Sequence, residues 1–217
     1  MRWLELLQSL LGRRATIDEA RWVMLDVETS GLDPTRDRLL AIAAIGLRVD
    51  WRTKTLNVDI GDSFEVVLQQ DQVSNKDNIL LHGIGVQQQR DGMAPALAMG
   101  AFRSFVGQSP LLAFHAAFDQ TMIARYARLH LSADLPNSWL DLDHLCAVTF
   151  ERVKARALDE WLSHFGIRCL VRHQAAADTL AECELLQHIW HKLAPQCACW
   201  RDVQTLADQH RWLARAC

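Results

Sequence analysis

Trp22-Val23-Met24-Leu25-Asp26-Val27-Glu28-Thr29-Ser30-Gly31 begins with four apolar residues and ends in a turn, with two carboxylates placed between. The apolar run reads as a buried strand leading into Thr29-Ser30-Gly31. Side chains two apart in a strand share a face, so Asp26 and Glu28 point to one side of the sheet and Val27 to the other. One rigid element thus supplies two hard oxygen donors, a pairing suited to magnesium or manganese. A lone Asp-x-Glu is commonly a solvated turn. At the end of a buried strand, an unpaired carboxylate is costly unless a cation or hydrogen bonds compensate it.

Working outward, Leu39 to Val49 is rich in small and branched apolar residues, and Ser63 to Gln69 alternates around Phe64, Val66 and Leu68. These are the expected second and third strands, antiparallel neighbours joined through Asp50 to Asp62. A helix is expected from Ala94 to Val106, before a short apolar strand from Leu111 to Phe114. Helical spacing then runs through Thr121 to Leu129, Leu158 to Phe165 and Ala175 to Leu193, where Pro195 stops it. Trp200 to Ala214 is again amphipathic. Strands first, with helices around a central strand, define an α/β layer fold with a mixed sheet.

At 217 residues the chain can bury one substantial core, and no Pro/Gly/Ser-rich linker divides it. The expected organisation is an N-terminal helical extension over residues 1–20, a main domain over 21–194 and a C-terminal helical extension over 195–217. Within the first, Leu4, Leu7 and Leu11 share one side of a short amphipathic helix, which is too short to span a bilayer. A net charge of −3 supplies no global positive field, so nucleic-acid contact must rest on local Arg and Lys groups and on bound metal. The six cysteines are irregularly spaced in a chain with no secretory signal, which leads to the expectation of reduced thiols and a cytoplasmic protein. His188, His191, Cys197 and Cys199 do not match a common zinc-ligand spacing, and helix-face histidines and buried thiols are the expected reading. Trp190, Trp200 and Trp212 are expected to pack the last helices onto the domain.

Two further segments carry candidate chemistry. Phe114-His115-Ala116-Ala117-Phe118-Asp119 leaves the short central strand and starts a helix, where an early acid also suits the helix dipole. His173-Gln174-Ala175-Ala176-Ala177-Asp178 opens the long helix; its alanines allow close approach to the sheet, and Asp178 falls about one turn in.

Together with Leu25 to Leu32, Leu81-His82-Gly83-Ile84 and Leu158-Asp159, these stretches resemble the DEDD superfamily of 3′–5′ exonucleases. The similarity is to the histidine-containing branch, which includes the proofreading epsilon subunit of bacterial DNA polymerase III. The resemblance implies an RNase H-like fold in which Asp26, Glu28, Asp119 and Asp178 hold two divalent ions, Mg2+ or Mn2+, with His173 as general base. It implies release of nucleoside 5′-monophosphates from single-stranded or frayed 3′ ends, DNA being the expected strand, in proofreading or repair. Thr29 and Gly31 would approach the terminal sugar, and His82, His115 and Phe118 would line the terminal nucleotide. Each has a plainer alternative: Phe118 as core, Gly31 as a turn residue needing positive φ, His82 as a loop histidine. Relatives usually carry Asn after the histidine of the second motif, where this chain has Ala116. Other readings are an exoribonuclease of the same fold, or a docking subunit for a polymerase partner with little activity of its own.

Overall fold

Strand β1 (Arg21–Thr29) lies at the centre of the molecule, and its run Trp22 to Leu25 is completely buried. The computed structural model describes residues 17–213; the expected N-terminal helix falls outside these. β2 (Leu39–Asp50) and β3 (Thr55–Val67) follow as an antiparallel pair, and β2 runs antiparallel to β1. The chain then forms α1 (Lys76–His82), α2 (Val86–Arg90), α3 (Pro95–Val106) and β4 (Leu111–Ala113), which is parallel to β1. After these come α4 (Ala117–Leu131), β5 (Trp139–Asp141), α5 (Leu142–Thr149), α6 (Leu158–Phe165), α7 (Ala175–Leu193) and α8 (Trp200–Asp208). The sheet order is β3-β2-β1-β4-β5, a mixed sheet with helices on both faces.

The alternation of β1 divides the core. Trp22 and Met24 pack with Leu47, Leu112 and the inward sides of α5 to α8, while Val23, Leu25 and Val27 pack with Ala98, Met99 and Phe102 of α3 and Met122 and Ile123 of α4. Asp26 and Glu28 continue the row of Trp22 and Met24, so they face α7. Thr179 of that helix donates to the Ala175 carbonyl, and Ala43 of β2, paired with Asp26, is a buried small residue that lets α7 lie close to the sheet. The register slips between Glu28 and Thr29, so the chain bends away immediately after the second carboxylate.

Trp22 also anchors an aromatic group. Its ring centroid lies 5.8 Å from Trp51, 5.6 Å from Trp190 and 4.7 Å from Trp200. Trp190 and Trp200 therefore fasten the C-terminal helices to the sheet, whereas Trp212 is 82% exposed.

The third strand departs from its expected span. It begins at Thr55, so the link from β2 is the tight turn Trp51 to Lys54 rather than the whole of Asp50 to Asp62. The reason is that β3 is an edge strand whose apolar positions are half solvated: Ile60 is 65% exposed. Polar neighbours then mask the two-residue period. A register shift opposite Ile45 and Gly46 pushes out residues 60–62, and Asp62 turns back to accept from Arg21 at 2.6 Å and 2.9 Å. A Cβ on Gly46 would meet the Asp62 carboxylate at 2.2 Å, so glycine there serves close approach.

Candidate active site

Three carboxylates converge where β1 ends against the first turn of α7. Ligand oxygens of Asp26, Glu28 and Asp178 lie within 4.8 Å of one another, and among the described residues no other such group of three metal-ligating side chains occurs. They line a cleft of about 280 Å³ that also takes in His115, Arg172, His173 and Glu182. Asp119, in the first turn of α4, is buried just behind; the Val27 backbone hydrogen-bonds to it, and it feels the charge of Asp26.

The loop before α7 is organised around Asp178. Its Oδ2 accepts from the His173 backbone N–H at 2.9 Å, while Oδ1 accepts from the Arg172 guanidinium and from Cys169 Sγ at 3.4 Å. Arg172 donates through Nε to Asp159 as well, so the aspartate of the Leu158-Asp159 motif holds the arginine that covers Asp178. His173 adopts φ +61°, left-handed and unusual for a residue other than glycine, with its side chain exposed at the cleft. His115 stands opposite at φ +57°, its backbone N–H donating to Asp141 at 3.1 Å.

The other expected contacts lie around the cleft rather than in its lining. Thr29 Oγ1 donates to the Gly31 carbonyl at 2.7 Å. Gly31 is not left-handed; a Cβ there would meet Asp37 at 2.5 Å, so its demand is space and not positive φ. His82 is buried, with Nδ1 accepting from the Ile84 N–H at 3.0 Å and Nε2 donating to Asn78 Oδ1 at 2.8 Å. Asn78 in turn donates to the Thr29 carbonyl, so His82 acts on the site through the backbone after Glu28. Phe118 is half-buried against the α3 and α4 core, and Ala116 is packed into the same core. His188, His191, Cys197 and Cys199 do not converge: His188 makes a tilted ring contact with Phe165, and His191 bonds the His188 carbonyl.

Glu182 and Arg172 are site residues that the sequence reading does not single out. Glu182 follows Asp178 by one turn of α7, is 2% exposed, and faces Asp26, Asp119 and Asp178. The available signal is spacing: it sits on the stripe that continues through Leu185, Leu186 and Ile189 into the core.

Burial and mutual repulsion dominate the electrostatics. Desolvation, then the charge of Asp178, pushes Asp26 from 3.8 up to about 7. Desolvation, then Asp26 and Asp178, pushes Glu28 from 4.5 up to about 9, although the Ala175 backbone amide at the start of α7 favours its ionised form. Asp119 is raised well above its ordinary value, by desolvation first and Asp26 second. Such a set of oxygen donors fits divalent cations: it is tightly gathered, poorly compensated by the chain's own donors, and includes a buried Glu28 Oε1 with no hydrogen-bond partner.

A linkage follows. The folded chain holds the protons of Asp26 and Glu28 more tightly than the unfolded chain does. Their stabilisation is therefore fully present below about pH 4 and is lost as pH rises through about 7 and then about 9. Without metal, the melting temperature of the wild type is expected to fall progressively below that of Glu28→Gln as pH increases across this window. Parallel melting curves for the two proteins would contradict it. Divalent metal is expected to raise the wild-type midpoint most above about pH 7, since binding requires ionised carboxylates.

Fold and site together define an RNase H-like α/β domain with a carboxylate centre at the ends of its inner strands. The chain belongs to the exonuclease family of RNase T type, whose model matches residues 23–186. It is 30% identical over 187 residues to a DNA polymerase III subunit epsilon-like protein of Rhodobacter capsulatus, covering 81% of this chain and 25% of the relative. It is 25% identical over 204 residues to the PolC-type DNA polymerase III of Clostridium perfringens, covering 92% of this chain and 13% of the relative. The fold matches the zinc-bound E. coli exonuclease I–ssDNA complex with a TM-score of 0.64 at 21% identity, over 78% of this chain and 40% of that one. The chain thus spans a quarter or less of the length of these two sequence relatives. Among the described residues, no helix is long and apolar enough to cross a membrane.

Proposed function

We propose that this chain is a metal-dependent 3′–5′ exonuclease that removes nucleoside 5′-monophosphates from single-stranded or frayed 3′ ends of DNA. The observation that carries this reading is the meeting of Asp26, Glu28 and Asp178 in one cleft with His173 at its edge. Family membership supports the reaction class, and the single-stranded DNA in the exonuclease I complex supports the substrate class. Two divalent ions held by Asp26, Glu28, Asp119 and Asp178 would polarise the attacking water and neutralise the leaving 3′ oxygen.

The chain's own residues do the remaining work. His173, exposed at the edge of the cleft, takes the proton of the attacking water. Its backbone N–H on Asp178 ties the position of the base to the carboxylate centre. The bend after Glu28, held by Asn78 on the Thr29 carbonyl, presents Thr29 and Gly31 to the terminal sugar. No base-specific reading is needed, because the reaction addresses the sugar-phosphate terminus. The polymerase relatives leave room for a protein partner alongside this activity.

The test is release of nucleoside monophosphates from 5′-labelled single strands of DNA and RNA of matched sequence, with magnesium, manganese or a chelator. Stepwise shortening from the 3′ end that requires metal and favours DNA is expected. Faster degradation of RNA would move the chain to the exoribonucleases; cleavage of neither strand by the folded protein would sink the enzymatic reading.

A further inference from the structure

Glu182 is not accounted for by the four-carboxylate scheme. Its Oε2 is buried, lines the cleft wall through its residue, and has no hydrogen-bond partner. Three of its neighbours in charge are the carboxylates Asp26, Asp119 and Asp178. The adjoining buried positions of α7, Cys183, Leu185 and Leu186, offer no cationic side chain. The nearest guanidinium, that of Arg172, is already committed to Asp178 and Asp159.

A buried acid surrounded by acids, with an oxygen left bare, is destabilising on its own account. An apolar residue at position 182 would fill the same stripe of α7 without that penalty. Such a group makes physical sense if a cation meets it. Glu28 Oε1 is a second partnerless oxygen of the same cleft, so two bare acceptors flank Asp26 and Asp178. Helical geometry places Glu182 one turn deeper than Asp178 on the same face. It therefore lies on the inner side of the cluster, toward Asp119, and away from the Glu28 side.

We propose that Glu182 is a fifth carboxylate of the metal centre, contributing its free oxygen to a divalent cation held on the Asp26–Asp119 side of the cleft. The proposal rests on the exonuclease reading for the existence of that centre. A ligand set with an additional carboxylate has more negative charge for the same cations, which strengthens ion binding on the inner side.

Manganese titration followed by electron paramagnetic resonance of the free ion tests this without reference to nuclease activity. Wild type, Glu182→Gln, Glu182→Asp and Asp26→Asn are compared as full-length proteins. Glu182→Gln is expected to weaken the lower-affinity manganese site by about tenfold or more, in line with the loss of a charged ligand partner. Glu182→Asp is expected to recover most of that loss, because the charge is kept. Should Glu182→Gln fail to fold, Glu182→Ala, whose vacated space admits water, is titrated under the same criterion.

A purely structural acid gives a different result: a higher metal-free melting temperature in Glu182→Gln with wild-type manganese binding. That outcome overturns the assignment. If Asp26→Asn weakens binding while Glu182→Gln does not, only the role of Glu182 fails. If neither variant affects binding, the metal centre and the exonuclease reading fall together. Weakened binding in Glu182→Gln, in a wild type that cleaves no nucleic acid, upholds the fifth carboxylate and removes the exonuclease reading alone.

Discussion

Asp26→Asn is expected to lower the rate of 3′-end cleavage by roughly a thousandfold or more, the scale at which a central electrostatic contact to the reacting atoms is lost. Asparagine keeps the volume and the strand, so the fold should survive. What it removes is the charge on which the cluster is centred, since Asp26 is electrostatically linked to Glu28, Asp119, Asp178 and Glu182. The same change relieves repulsion among the remaining acids. The metal-free variant should therefore melt at or above the wild-type temperature, while the rise produced by manganese shrinks. Opposite movements of stability and activity separate a lost ligand from a damaged fold. Retention of more than a tenth of wild-type turnover would place the reaction elsewhere in the cleft.

The inner strands and the long helix were legible in the sequence because each is buried on both sides or carries one continuous apolar stripe. β1 and β2 show unbroken apolar runs, and α7 keeps its three- and four-residue spacing from Ala175 to Leu193. The half of β3 before Asp62 was not legible, since an edge strand with one solvated face mixes polar and apolar positions, and its bulge breaks the period. β5 is only three residues long, and its pairing with β4 decides its conformation more than its composition does. In the site, Asp26 and Glu28 announced themselves by position at the end of a buried run. Glu182 did not, because with Glu184 it looks like ordinary helix-surface charge; only the tertiary approach of α7 to β1 and β2 turns it inward. Arg172 was hidden for the converse reason. Its partners Asp159 and Asp178 lie 13 and 6 residues away, and nothing local marks the pairing.

The left-handed backbone at His173 determines how its replacement should be designed. Asparagine is among the few residues that tolerate φ near +60° with a Cβ, so His173→Asn keeps the loop and its N–H bond to Asp178 while removing the imidazole. Alanine at the same place would confound lost chemistry with a strained loop. If His173 accepts the water proton, His173→Asn should reduce kcat by about a hundredfold to ten-thousandfold, the range ascribed to a positioned general base. KM for single-stranded DNA and manganese affinity should stay close to wild type, because neither the carboxylates nor the bend after Glu28 is altered. A variant that loses manganese affinity in step with kcat would mean that the loop, through its grip on Asp178, positions the carboxylate centre and does not supply the base. That alternative has a structural basis in the same hydrogen bond, so the split between metal affinity and turnover is what decides the role of His173.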